Sequence, residues 1–232
     1  MVKQALNLGL LALASGCAGT VTLNDTYSGT CDSEHARCLK DRCADLRDTR
    51  DCSLACDFEA RICQRDQKGE VAAGRRLSED KALLVDLMGD KIRWSSAVTV
   101  TTGGEIRPWK DSRALQPGAF LKIDFQLPAD VRFGELHLLH APGGEGVGCF
   151  ITMTVNEKPL VGRYAPPRTQ QGALRRETWD LARFLEVGSK TPQTVSLFVF
   201  NNNTAGSQVP YLLGGIELYY KAMEEQAPPA AE

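Results

Sequence analysis

Six cysteines lie between Cys31 and Cys63, separated by steps of seven, five, nine, four and seven residues. The spacing is nearly a palindrome, and it constrains the fold more than any other feature of the chain. Pairing from the inside out gives Cys43–Cys52, Cys38–Cys56 and Cys31–Cys63, whose residue numbers sum to 95, 94 and 94. Two antiparallel segments folded about one turn give near-constant sums, because each residue faces its mirror image across the turn. The stretch therefore reads as a disulfide-stapled hairpin, and persistent disulfides require an oxidising compartment. Six cysteines allow many pairings, so the nested set rests on symmetry.

The hairpin is expected to be helical. Between Asp32 and Asp66 there is no glycine or proline, and Ala, Leu, Arg, Lys and Glu abound. On a helical wheel Cys52, Cys56 and Cys63 fall within about 40° of one another, and Cys31 coincides with Cys38. Cys43 falls about 120° from Cys31, so the first helix should end or loosen near it. Residues 45–51 would form the turn, with Thr49 or Asp51 capping the second helix. The rival reading, a metal site on Cys-x₃-Cys, lacks a second Cys-x₂-Cys knuckle; no metal and no cofactor are expected. Leu54, Phe58 and Ile62 recur every four residues on a second face. They either dock the hairpin on the following domain or form an exposed patch for a partner protein, and docking is preferred because large exposed apolar patches are rare.

The N-terminus carries Lys3, an apolar run from Ala5 to Ala14 too short to span a bilayer, and then Ser15-Gly16-Cys17. Small residues followed by cysteine resemble the lipobox of bacterial lipoproteins. That resemblance implies removal of residues 1–16, acylation of Cys17, and a membrane partner reached through the lipid anchor. The alternative is cleavage after Ala14. By the same resemblance, Ala18 in place of aspartate points to the outer membrane. Residues 17–30 then form a tether of about 40 Å when extended.

Beyond the hairpin, 67–91 reads as a linker with a short helix from Ser78 to Met88, stopped by Gly89. From residue 92 to 222 the pattern alternates. Phe120-Leu-Lys-Ile-Asp-Phe-Gln-Leu puts Leu121, Ile123, Phe125 and Leu127 on one face. Cys149, Ile151, Met153 and Val155 share one parity, which makes Cys149 a reduced core thiol; a Cys17–Cys149 bridge is the rival. Further strands are expected at 97–102, 133–140, 194–200 and 211–220, punctuated by Gly, Pro and Asn. The tail 223–232 reads as disordered. The fold class is thus mainly β, an antiparallel sandwich preceded by a small stapled α-helical hairpin. Four stretches resemble the galactose-binding-like jelly roll: Ala119–Phe125, Phe150–Leu160, Thr178–Gly188 and Pro210–Tyr220. That resemblance implies a fold common among glycan-binding modules and brings no diagnostic ligand motif.

With net charge −2, nucleic acid has no electrostatic footprint here. His137 and His140, three apart in a strand, should point to opposite faces and cannot jointly hold a metal. The Gly143–Gly148 run lacks the lysine and following helix of a phosphate cradle. A glycosidase would need two facing carboxylates, and Glu105, Asp111, Glu145, Glu177 and Asp180 are available without anything to pair them. A sugar site needs an aromatic platform beside amides. Trp109 in the loop from Glu105 is the candidate platform, with Tyr164 in the loop 162–171 and the amides of Asn201, Asn202 and Asn203; Trp94 and Trp179 are assigned to the core. The expectation is a lipid-anchored, non-catalytic envelope protein that binds a glycan through its sandwich. The alternatives are a structural or assembly lipoprotein contacting envelope proteins, and a secreted glycan hydrolase.

Overall fold

The computed structural model describes residues 30–44, 49–67, 71–72, 81–110, 112–143, 149–169, 173–203 and 209–222. The expected signal peptide, Cys17, the tether up to residue 29 and the tail lie outside them, as do Asp111, Glu145 and turn residues 45–48.

The chain is mainly β, a jelly-roll sandwich of two sheets. One joins β1 (Val71–Ala72), β11 (Leu174–Asp180), β8 (Val131–Pro142), β13 (Tyr211–Ala222), β2 (Lys81–Asp86) and β3 (Arg93–Trp94), in that order. The hairpin of β5 (Ile106–Trp109) and β6 (Ser112–Leu115) joins this sheet at β13, making eight strands. The other has five strands, ordered β10 (Lys158–Tyr164), β9 (Ile151–Val155), β12 (Gln193–Asn201), β7 (Phe120–Leu127) and β4 (Val98–Gly103). All pairings are antiparallel except the short parallel contact of β1 with β11. The period-two pattern decides which side chains go inward. Leu121, Ile123, Phe125 and Leu127 of β7, with Val195, Leu197 and Val199 of β12, meet Leu136, Leu138, Ile216 and Leu218 of the opposite sheet in one buried core.

The expected helix at 78–88 is not formed; Lys81–Asp86 is strand β2. The reason is burial on both faces. Leu83 and Val85 point into the sandwich core while Leu84 points the other way, beneath the hairpin. Such a strand reads as an unbroken apolar run, which periodicity cannot tell from a helix.

The hairpin consists of α1 (Cys31–Cys38), a π-helical turn (Leu39–Cys43) and α2 (Arg50–Gln67). Thr30 caps α1, its side chain accepting from Ser33 N. The three bridges are Cys31–Cys63, Cys38–Cys56 and Cys43–Cys52, with Cα separations of 5.7, 5.8 and 5.7 Å. The π turn resolves the misfit of Cys43 on the wheel. A wider i→i+5 turn rotates the chain less per residue, and so returns Cys43 toward the stripe shared by Cys31 and Cys38. Asp51 does not cap α2. It lies inside the first turn, and its carboxylate accepts from Ser96 N at 2.8 and 2.9 Å and from Ser96 Oγ at 2.7 Å.

The Leu54/Phe58/Ile62 stripe is not a partner-binding surface. Leu54 and Phe58 are buried against Leu84, Met88, Ala114, Leu139, Ala141, Leu174 and Leu212 on the outer face of the eight-stranded sheet, and Ile62 packs beside them. Gly215 makes room for this: a Cβ there would stand 2.3 Å from the Phe58 ring. Charge flanks the apolar seam. The fully buried Asp86 accepts from Arg61, from Arg93 Nη2 at 2.9 Å and from Met88 N at 3.0 Å. Arg93 Nη1 reaches Asp57 at 2.8 Å, and Asp57 contacts His35 Nε2 at 2.9 Å. Burial pushes the Asp86 carboxyl up, against the pull of Arg61, Met88 N–H and Arg93. In Asp57 burial also pushes up, but the bonds from Arg93 and His35 prevail and hold it below the usual range.

Phe58→Ala is expected to destabilise the protein by about 3–5 kcal/mol in urea unfolding, through the cavity it leaves. Asp86→Ala should cost about 1–3 kcal/mol, because Arg61 and the Met88 N–H lose their buried acceptor while Arg93 keeps Asp57. Losses below about 1 kcal/mol would mean that the hairpin does not depend on this seam.

Candidate functional site

The residues expected to form a sugar site do not form one together. Asn201 is fully buried, and its Nδ2 donates to Leu115 O at 2.8 Å and Val209 O at 3.2 Å. Asn203 donates to Val209 O at 2.7 Å and accepts from Phe150 N at 2.9 Å. Both amides brace backbone and have nothing left to offer a ligand. Trp109 is in strand β5 rather than a loop and is 40% exposed. It pairs with Ser112, at the end of the β5–β6 hairpin away from the Leu115 carbonyl that holds Asn201. Three residues of strand, about 10 Å, separate the two places. Tyr164 is also in a strand, and its hydroxyl is committed inward to Glu177. Of the three asparagines only Asn202 is exposed, and its Nδ2 reaches Thr152 Oγ1 at 3.4 Å.

That contact places Asn202 on the outer face of the five-stranded sheet, where the structure assembles a surface the spacing did not reveal. Outward positions fall in rows set by register. One row is Gly103, Phe120, Phe200 and Thr152; the next is Thr101, Lys122, Phe198 and Thr154; a third is Thr99, Asp124 and Ser196. Phe150, of the same parity as Thr152 and Thr154, extends the surface beside Asn202, whose N–H donates to Phe150 O at 2.9 Å. Phe120, Phe150, Phe198 and Phe200 are all half-buried and belong to neither core. The Phe120 and Phe198 centroids are 5.1 Å apart, and Phe198 and Phe200 stack at 6.2 Å with planes 16° apart. Gly103 is what lets the first ring lie across β4, since a Cβ there would come within 2.2 Å of it.

Polar groups rim this aromatic strip. Asp124 accepts from Ser196 Oγ and lies 3.5 Å from Lys122 Nζ. A shallow depression of about 420 Å³ is lined by Lys122, Thr154, Asn156, Glu157, Ser196 and Phe198. The β9–β10 turn closes one end, with Asn156 and Glu157 both at positive φ (50° and 64°), as a tight two-residue hairpin requires. Asn156 is fixed by accepting from Ser196 N at 2.8 Å and donating to Phe184 O at 3.1 Å. The signal for this face was available: Phe198 and Phe200 alternate with Val195, Leu197 and Val199. A strand apolar on both faces reads as doubly buried, which concealed an open side.

Between the sheets, near β10 and β11, lies a polar chain that is buried at His140 and Tyr211 and half-buried at Tyr164 and Glu177. The Tyr164 hydroxyl donates to Glu177, whose carboxylate also contacts His140 Nε2 at 3.1 Å, while His140 Nδ1 contacts the Tyr211 hydroxyl at 2.7 Å. With Nε2–H donating to Glu177, Nδ1 accepts from Tyr211, and each group is satisfied. Burial pushes the Glu177 carboxyl up, but the bonds from His140 and Tyr164 outweigh it and hold it below the usual range. Tyr164 is raised, first by burial and then by Glu177. Cys149 is reduced and buried, and desolvation pushes its thiol up to about 11 despite a bond from Asn203, so it holds its proton.

The remaining candidates have structural partners. His137 and His140 do face opposite ways: His137 contacts Glu135 and the Tyr219 ring, away from the His140 chain. Glu105 pairs with Arg107, and Asp180 accepts from Ala182 N at 2.8 Å. Cys43, Cys52 and Cys56 bring three sulfurs within 4.8 Å, but all are spent in disulfides. Trp94 and Trp179 are half-buried and pack on the main core. Among the described residues, no helix is long and apolar enough to cross a membrane.

No protein-family model and no curated protein matches the sequence. Among solved structures, the chain is similar to a family 35 carbohydrate-binding module from Clostridium thermocellum (9% identity, TM-score 0.37, covering 60% of this chain and 97% of that one). It is similar to the CBM35 of Cellvibrio japonicus Abf62 at 15% identity and TM-score 0.38, over 61% and 97% of the two chains. The Emp47p carbohydrate recognition domain gives 8% and 0.37, over 63% and 99%. Likeness this distant carries no argument about what the chain binds.

The Glu177 cluster yields a pH prediction. A carboxyl held below its ordinary value of 4.5 contributes stability above that pH, and loses it as the pH falls through the folded value. Glu177→Gln should therefore cost about 1–3 kcal/mol near pH 7, with the gap to wild type narrowing below about pH 4. Urea midpoints across pH check this; a gap that is constant or widens in acid contradicts the assignment.

Proposed function

We propose that this protein is a lipid-anchored, non-catalytic glycan-binding protein of the bacterial envelope, and that the glycan lies across the outer face of the five-stranded sheet. One observation carries the reading: four phenyl rings share a sheet face that no element among the described residues covers. Pyranose rings present C–H faces that stack on aromatic rings, and hydroxyl edges that need donors and acceptors. Here the rings are bordered by Lys122, Asp124, Thr152, Thr154, Ser196 and Asn202. The opposite sheet cannot serve in the same way, because α2 occupies it. The assembly reading loses its named surface for the same reason. Acylation of Cys17 is read from the lipobox-like Ser15-Gly16-Cys17, which precedes the stapled hairpin in the chain.

The test is a glycan array with the full chain beside Phe198→Ala and Trp109→Ala. Phe198→Ala should weaken binding at least about ten-fold, equivalent to ~1.4 kcal/mol, and Trp109→Ala should leave it unchanged. Loss on Trp109→Ala with Phe198→Ala silent would move the site to the β5–β6 hairpin and sink this assignment. Palmitate labelling in the native host should disappear in Cys17→Ser; an unlabelled wild type would remove the anchor.

A further inference from the structure

The register of β10 against β9 slips twice, between Pro159 and Val161 and again between Val161 and Tyr164. The second slip contains Gly162 and Arg163, and Arg163 sits at φ 49°. A long side chain in the left-handed region costs roughly 1–2 kcal/mol, and such strain persists only where the surroundings impose it. Here the imposing contact is visible. Tyr164 is drawn inward, its hydroxyl tied to Glu177 of the opposite sheet and its ring set edge-on to Trp179 at 6.2 Å. The bulge that turns Tyr164 in leaves exposed Arg163 on the other side, with its guanidinium 4.7 Å over the Phe150 ring.

The charge accounting around this face is uneven. Lys122 is offset by Asp124, and Arg183 donates to the carbonyls of Pro159 and Leu160. Among the described residues Arg163 has the phenyl ring and no carboxylate. A guanidinium carries five N–H donors in a planar fork suited to a carboxylate or sulfate, and stacking on a ring fixes its plane while leaving its edges free. With a net charge of −2 the whole molecule supplies no attraction for anions, so recognition must come from a local group.

We infer that the glycan bound by the five-stranded face is acidic, and that Arg163, held over Phe150 by the strained bulge, binds its anionic substituent. This rests on the glycan reading above and adds the ligand's charge and the residue that selects it. Tyr164, expected from sequence to touch ligand, is on this account a positioning residue for Arg163.

The test measures binding of the full chain to polygalacturonate, dextran sulfate and unmodified dextran by affinity electrophoresis. Wild type should be retarded by one of the acidic polymers at least about ten-fold more strongly than by neutral dextran, and less so as salt rises. Arg163→Gln should remove that preference, bringing retardation by the acidic polymers down to that by neutral dextran, and Arg163→Lys should restore only part of it. Preference for polygalacturonate would identify a carboxylate, and preference for dextran sulfate a sulfate ester. Acidic binding that survives Arg163→Gln, or equal binding of all three polymers, overturns the inference. In those outcomes a loss on Phe198→Ala leaves the glycan face standing, whereas indifference to Phe198→Ala removes the face as well. Failure to bind any of the three polymers overturns the inference outright.

Discussion

The docking of α2 on the eight-stranded sheet decides which surfaces of the sandwich remain available. A two-sheet sandwich has two outer faces, and each must be solvated, covered or used. Here Phe58 lies directly on the backbone of Gly215, with Leu54 and Ile62 beside it, and the Asp86–Arg61–Arg93–Asp57 charges close the seam. A hairpin this small has little interior of its own, and its three disulfides make it rigid enough to cover a sheet. The apolar stripe of the hairpin is thereby spent inside the molecule. The exposed aromatic strip must then be sought on the opposite sheet.

The second consequence is local. The five-stranded sheet ends at β10, whose bulge resets the in–out alternation between Val161 and Tyr164. Tyr164 goes in to Glu177 and His140, and Arg163 goes out over Phe150. A hydrogen-bonded chain between the sheets thus fixes the direction of a surface cation. Structure and proposed recognition meet at two adjacent residues.

Much of this was legible in the sequence, and the failures have physical causes. The cysteine spacing identified the three bridges because antiparallel geometry alone determines it, and the inward parity of 121–127 and 149–155 specified the core. Strand β2 was misread because Leu83, Leu84 and Val85 are buried on both sides, so no period survives. The three asparagines could not be told apart in the sequence because asparagines after a strand carry the same signature whether they brace backbone, as Asn201 and Asn203 do, or face solvent, as Asn202 does. The Phe face was missed for a related reason. The chain alone does not say that one outward apolar row is covered by a helix while the other stays open.

The most direct measurement is hydroxyl-radical footprinting of the full chain, free and saturated with a bound polysaccharide. The account predicts that Phe120, Phe150, Phe198 and Phe200 are labelled in the free protein and protected in the complex. Phe58 should be unlabelled in both states, and Trp109 labelled equally in both. Protection centred on Trp109, or labelling of Phe58 in the free protein, would contradict it.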